Sequence, residues 1–343
     1  MSVSSAKTGA SVFPQWYRDI RAYQRSSKGR AVWQLVNTLV PYLMLWASMI
    51  VMLSRGMPYW SILPVAVAAA FFLVRTFIIF HDCCHGSFLP SAVGNRIIGY
   101  LTGVLTFTPF QSWRVDHLRH HATSGQLDHR GFGDVWTMTC EEYQSASWFT
   151  RLKYRVYRTP FFMFFFGPLF VFVIGNRFTP KGSTARERRS VVATNLGIAL
   201  LATALSLGFG WRAYVGIQLP VILLSGTIGI WLFYVQHQFD PGYWERDGRW
   251  DQYRAAMAGA SYYRLPGILR WLTGNIGIHH IHHLRPRIPN YHLWEALRSA
   301  PEASNVDSLS FLQSLRALRF NLWHEGEKRF LSFRQARRIP AAS

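Results

Sequence analysis

The chain has 343 residues, 50% of them hydrophobic and only 16% charged, with 37 Lys+Arg against 17 Asp+Glu and a formal charge of +20. Such apolar content excludes a disordered chain, and three cysteines, two of them the adjacent Cys83 and Cys84, exclude a secreted disulfide scaffold. An integral membrane protein or a nucleic-acid binder remains. The apolar blocks decide for the first, since a bilayer core of about 30 Å takes roughly 20 apolar residues in a helix, and no nucleic acid is expected as a partner.

The basic stretch 1–31 comes first. It lacks the apolar core and the cleavage site of a signal peptide, so the first span is expected to direct insertion itself. Spans are predicted over 32–53, 60–80, 191–209 and 214–235, the second interrupted only by Pro64 and Arg75. Two apolar stretches, 97–110 and 160–176, are too short for a comfortable crossing and are predicted to be re-entrant or interfacial. Basic residues test the arrangement, because Lys and Arg stay on the cytoplasmic side. Residues 1–31 carry six, 111–159 seven, 177–190 five and 238–343 fifteen, whereas 54–59 and 210–213 carry one each. The expected architecture is therefore a single all-α integral membrane domain over 1–343, with four transmembrane helices and two re-entrant or interfacial segments. A helical cytosolic cap is expected from 1–31, 81–190 and 236–343. Both termini are placed in the cytoplasm, and a bacterial inner membrane is the expected location. The basic excess suits anionic lipid or an acidic soluble partner.

The histidines carry the chemistry. His81 and His85 follow the second predicted span, four residues apart and so on one helix face. His117, His120 and His121 repeat at i, i+3, i+4 after the first short segment, and His279, His282 and His283 do the same near the C-terminal end. His237 follows the fourth predicted span. All nine fall on the cytosolic face of the predicted topology. Neutral imidazole suits iron, copper, zinc and nickel, and a cation needs several of them converging from different elements. Nine imidazoles are four to five for each of two metals, too many for a single zinc site with four ligands or three plus water. His280 lies one residue off the face shared by its neighbours, so a supporting or surface role is expected for it. His129, His292 and His324 are expected to bind no metal.

On the strings HDCCHGSF from His81, HLRHHATSG from His117, FYVQHQFD from Phe233 and TGNIGIHHIHHLRPRIPNYHL from Thr273, the chain resembles the integral-membrane fatty acid desaturases of the three-histidine-box superfamily. The likeness runs over roughly residues 30–300 and looks strongest to the bacterial acyl-lipid, omega-6/Δ12-like subgroup. That subgroup's first box usually has Gly where Cys84 stands here. The resemblance implies a di-iron site with His81, His85, His117, His120, His121, His237, His279, His282 and His283 as ligands. It also implies O2 as co-substrate and removal of two hydrogens from neighbouring carbons of an acyl chain, leaving a cis double bond. The chain is expected to belong to a membrane phospholipid, with a mid-chain position such as Δ12 or Δ5 attacked. Some relatives carry an Asn one turn before the lone histidine, where Phe233 stands here, and Asn275 is a substitute candidate.

Ligating imidazoles usually donate their second N–H to a carboxylate or carbonyl. Asp82 and Asp128 are the favoured partners, and Asp116, Asp134 and Asp240 are near enough in sequence to serve. Trp113, Phe107 and Tyr234 are candidates to line an acyl tunnel. No His-Pro-Gly-Gly and no Gly-x-Gly-x-x-Gly string occurs, so an external electron donor, a ferredoxin-like or other soluble carrier, is expected. A di-iron membrane hydroxylase or ketolase would share every box, and a membrane zinc hydrolase or a metal transporter is the alternative of another class.

Overall fold

The computed structural model describes residues 13–131 and 133–338; the first twelve residues of the basic stretch 1–31 lie outside them. Nine helices position the site: α1 (Lys28–Ser54), α2 (Leu63–His85), α3 (Ala92–Leu105), α4 (Phe110–Thr123), α5 (Trp148–Tyr157), α6 (Ala185–Phe209), α7 (Trp211–His237), α8 (His279–Leu284) and α9 (Asn290–Ser299).

Helices α1, α2 with its preceding turn, α6 and α7 are long and apolar enough to cross a membrane, with mean hydropathy of 1.7, 2.4, 1.8 and 1.8. Each runs past the apolar stretch that announces it. Ser27 caps α1 by accepting from the Arg30 N–H, and a Thr184–Glu187 capping box starts α6 a full turn and more before its apolar run. Helix α2 continues through the first histidine box, and Pro64 sits in its first turn, where a missing N–H costs nothing. Tyr42, Trp46 and Met49 of α1 pack on Ala66, Ala69 and Leu73 of α2 and on Ile217, Val221 and Ile222 of α7. The alanines let α2 lie close to its neighbours. Helix α6 leaves Leu196, Leu200 and Leu207 exposed, as a lipid-facing helix does.

Arg75, the one cation inside a predicted span, is buried. Its Nε donates to Thr38 Oγ1 on α1 at 3.0 Å, Nη1 donates to the Trp271 carbonyl, and the guanidinium lies 4.1 Å from the Trp271 ring. Two of its donor nitrogens and its cationic face thereby find partners out of lipid.

The stretch 97–110 is a hairpin rather than one segment. Helix α3 turns at Phe107, whose φ is +55°, and α4 begins at Phe110. A Cβ on Gly99 would stand 2.2 Å from the Phe110 ring, and one on Gly103 would stand 2.6 Å from the Thr108 carbonyl, so the close approach of the two arms requires glycine at both. The stretch 160–176 winds mostly as π-helical turns, and residues 162–177 meet α5 at a bend of 65°. The cap is not purely helical. Met138–Thr139 pairs in parallel with Leu322–His324, which pairs antiparallel with Arg329–Leu331, and Tyr262–Tyr263 pairs in parallel with Ser308–Leu309.

Candidate metal centre

Four elements end at one place. His81 and His85 occupy the last two turns of α2, His237 ends α7, and α4 and α8 bring the other two boxes. The nine histidines divide into two groups whose ligand nitrogens all lie within 4.8 Å of one another: His81, His85, His117, His121 and His282 in one, and His120, His237, His279 and His283 in the other. The division follows helix geometry. Each i, i+4 pair stays together on one face, whereas His120 and His282, about 100° around their helices from the neighbouring residue, cross to the opposite group.

Within the first group Nε2 atoms stand 3.0 Å apart for His85 and His117, 3.1 Å for His117 and His121, 3.0 Å for His121 and His282, and 3.1 Å for His282 and His81. In the second they are 3.2 Å for His120 and His237, 2.9 Å for His237 and His279, and 3.1 Å for His279 and His283. A run of identical ring nitrogens, those inside it each facing two others, cannot be satisfied by hydrogen bonds among neutral imidazoles, which carry one donor and one acceptor apiece. Two cations fit. Nitrogens about 2.1 Å from a common ion and 90° apart are about 3.0 Å from each other. Burial first, and then the crowding of neighbouring imidazoles, holds the pKa of His117, His121, His279, His282 and His283 well below the ordinary value. They are therefore neutral, with lone pairs available to a metal.

The far ring nitrogens are oriented in part by partners. His81 Nδ1 lies 3.1 Å from Asp82 Oδ1, His120 Nδ1 lies 2.6 Å from Asp134 Oδ1, and His237 Nδ1 lies 3.2 Å from the Gly259 carbonyl. Asp82 is buried and its other oxygen accepts from the backbone N–H of Asn290 at 2.6 Å and from Asn290 Nδ2 at 2.8 Å, while Asn290 Oδ1 accepts from Gln34. One carboxylate thus ties the first box to α9 and α1.

Asp128 stands away from the histidines: it pairs with Arg246 at 2.6 Å and accepts from the Asp247 N–H, which keeps its carboxyl below the usual range. Asp134, rather than the favoured Asp128, is the carboxylate that stands beside an imidazole of the second box. Asn275 does not reach an imidazole; its backbone has a φ of +57° and its side chain donates to the Asn290 carbonyl. His280 is fully buried but belongs to neither group, and burial lowers its pKa to about 4. His129 faces Asp247, and His292 faces Glu295. Cys84 is buried next to the last residue of α2 in ordinary helical backbone, which does not call for glycine, and Gly86 supplies the left-handed cap.

A cavity of about 460 Å³ leads from His81, His117, His120 and His279 into the bundle. Its deeper walls are apolar, among them Phe77, Ile78, Met163, Phe172, Ile222 and Phe233. Trp113 lines it and stacks on His117 with ring centroids 4.2 Å apart. Phe233 also lines it, 5.1 Å from both His120 and His237, so the side chain that replaces an Asn forms wall instead. Phe107 and Tyr234 are not among the lining residues; the Tyr234 hydroxyl is buried and donates to the Ala317 carbonyl at 2.7 Å.

A family described as fatty acid desaturase matches residues 57–306. The chain is 47% identical over 328 residues, 96% of its length and 93% of the relative's, to a protein of Bacillus subtilis named fatty acid desaturase. Plant proteins are more distant. The sn-2 acyl-lipid omega-3 desaturase (ferredoxin) of Helianthus annuus is 30% identical over 244 residues, covering 65% of this chain and 52% of that one. The acyl-lipid omega-3 desaturase (cytochrome b5) of Arabidopsis thaliana is 28% identical over 270 residues, covering 70% and 66%.

Proposed function

This chain belongs to the fatty acid desaturase family, and we propose that it forms a cis double bond in an acyl chain of a membrane lipid, using O2 and two irons held by the nine imidazoles. The observation that carries the reading is the apolar cavity that ends against four of those histidines. Iron bound there would supply the redox chemistry that removal of hydrogen from an unactivated methylene needs and that zinc lacks.

The residues of the chain do the rest by position. Buried, neutral imidazoles keep their lone pairs for the cations, and Asp82 and Asp134 fix the tautomer and plane of His81 and His120. Trp113, Phe233 and the apolar walls exclude water and hold an extended methylene chain, so depth of insertion decides which carbons lie beside the metals. Two one-electron reductions must come from outside, and a small acidic carrier of the ferredoxin kind suits the basic cap. The basic stretches adjoining the site favour the cytoplasmic side of the membrane for it.

Gly229 supports a sizing role for the cavity, because it lines the wall one turn before Phe233 and a Cβ there would meet nothing within 4 Å. Gly229→Leu should fill that space and lower conversion of the longest acyl chains relative to shorter ones by about tenfold or more, the discrimination a few methylenes give. Competition between acyl lengths in one assay measures this. Expression in a host without polyunsaturated lipids, followed by mapping of double bonds, tests the function itself. New cis double bonds are expected; a hydroxylated or keto product, or none, would contradict the reading.

A further inference from the structure

A second cavity, of about 320 Å³, lies away from the histidines, where α5 faces the C-terminal segment. Three guanidinium groups line it, Arg151 and Arg155 from α5 and Arg337 from the segment, together with Tyr143, Trp148 and Phe333, and no carboxylate is among its lining residues. Elsewhere ion pairs engage Arg30, Arg130, Arg246, Arg249, Lys328 and Arg329, but among the described residues no carboxylate pairs with these three. Arg155 is held in place: its Nε donates to the Tyr143 hydroxyl, and its guanidinium carbon lies 5.7 Å from the Tyr143 ring and 5.2 Å from the Phe333 ring. A guanidinium fixed by rings keeps its terminal N–H groups for an anion.

The helix that carries this cleft also carries an apolar face. Trp148, Phe149, Leu152 and Val156 are exposed by 69%, 63%, 41% and 47%, and Phe161 and Phe165 continue the exposed band into the apolar segment 162–177. An amphipathic helix with exposed aromatics beside arginines settles at the boundary between acyl chains and headgroups. Trp148 and Leu152 line the cleft and are part of that face, so cation and apolar surface meet within one site.

We propose that this cleft seats the phosphate of a membrane glycerophospholipid, with Arg151, Arg155 and Arg337 as donors and Trp148 and Leu152 against its glycerol and first acyl carbons. A phosphodiester offers paired, multiply accepting oxygens that the planar guanidinium fork can engage two at a time, and it is the anion present at that depth. The bound lipid would fix α5, whose last residue, Tyr157, lines the cavity beside the histidines. The site stands on the cleft alone and does not depend on the chemistry assigned to the histidines.

Native mass spectrometry of the full chain in detergent, titrated with dioctanoyl phosphatidylglycerol, dioctanoylglycerol or inorganic phosphate, tests it. The phosphatidylglycerol should bind saturably, and R151Q/R337Q should weaken it by about tenfold or more, two charge-assisted contacts being lost. Dioctanoylglycerol and inorganic phosphate should each bind at least about tenfold more weakly than the whole lipid. K153Q/R334Q removes the same charge from exposed neighbours outside the cleft and should leave affinity unchanged, with unfolding temperatures confirming that both variants are folded. Equal affinity of R151Q/R337Q and the parent, equal loss in K153Q/R334Q, or phosphate binding as tight as the lipid's would overturn the proposal. So would loss, in R151Q/R337Q, of binding to an acidic protein carrier with lipid binding unchanged.

Discussion

His282→Ala should yield a folded protein that has lost metal and forms no detectable product. Its Nε2 stands 3.1 Å from that of His81 and 3.0 Å from that of His121, so it joins the first box to the second within the group of five. The ring is completely buried. Changing a residue that merely orients a ligand costs about 10–100-fold in metal affinity or activity, and removal of the ligand should cost at least the upper figure. Two residues away in the chain, His280 provides the comparison: equally buried, it lies outside both groups. His280→Ala should lower the unfolding temperature through the cavity it leaves but retain metal. Metal content and lipid product measured on both variants decide the matter; unchanged product in His282→Ala would remove His282 from the ligand set.

Asp82→Ala should be the most damaging change that removes no histidine of the two groups. Its carboxylate accepts from both nitrogens of Asn290 and faces His81 Nδ1, all in the interior. Hydrogen bonds to a charged group contribute about 1.5–3 kcal/mol each, so two left unmade should destabilise the fold by about 3 kcal/mol or more. The loss of orientation at His81 should add about 10–100-fold in metal affinity. Asp82→Asn, which keeps the shape and one acceptor oxygen, should recover part of the stability. Asp128→Ala, which breaks a surface pair with Arg246 and a hydrogen bond from the Asp247 N–H, both away from the histidines, should leave metal binding as it was. Thermal unfolding and metal retention after dialysis against a weak chelator separate the two terms. A variant at Asp82 as stable and as metal-rich as the parent would show that the carboxylate does not hold the site together.

The four membrane-crossing helices were readable from hydropathy because lipid demands unbroken apolar length, but their ends were not. Helix α2 carries His81 to His85 as further turns of the same helix, and α6 starts with charged residues inside its capping box, neither of which hydropathy registers. The π-helical winding of residues 162–174 leaves no signature in a run of Phe, Leu and Val. Among the histidines, the i, i+3, i+4 spacing announces a shared face but not that the middle residue of a box turns to a different partner group. Choosing Asp134 over Asp128 was beyond sequence distance as well. Both follow α4 within a few residues of each other, yet one stands beside His120 and the other pairs with Arg246. The spacing of Phe233, one turn before His237, announced the nearness of that imidazole but not of His120.

Metal analysis of the purified full-length protein, prepared without added metal and assayed in parallel for new double bonds, tests the central claim most directly. Two irons per chain, lost together with product formation when the chain is treated with a strong chelator, are predicted. A single zinc per chain in a preparation that still forms the product would contradict a redox pair held by nine imidazoles.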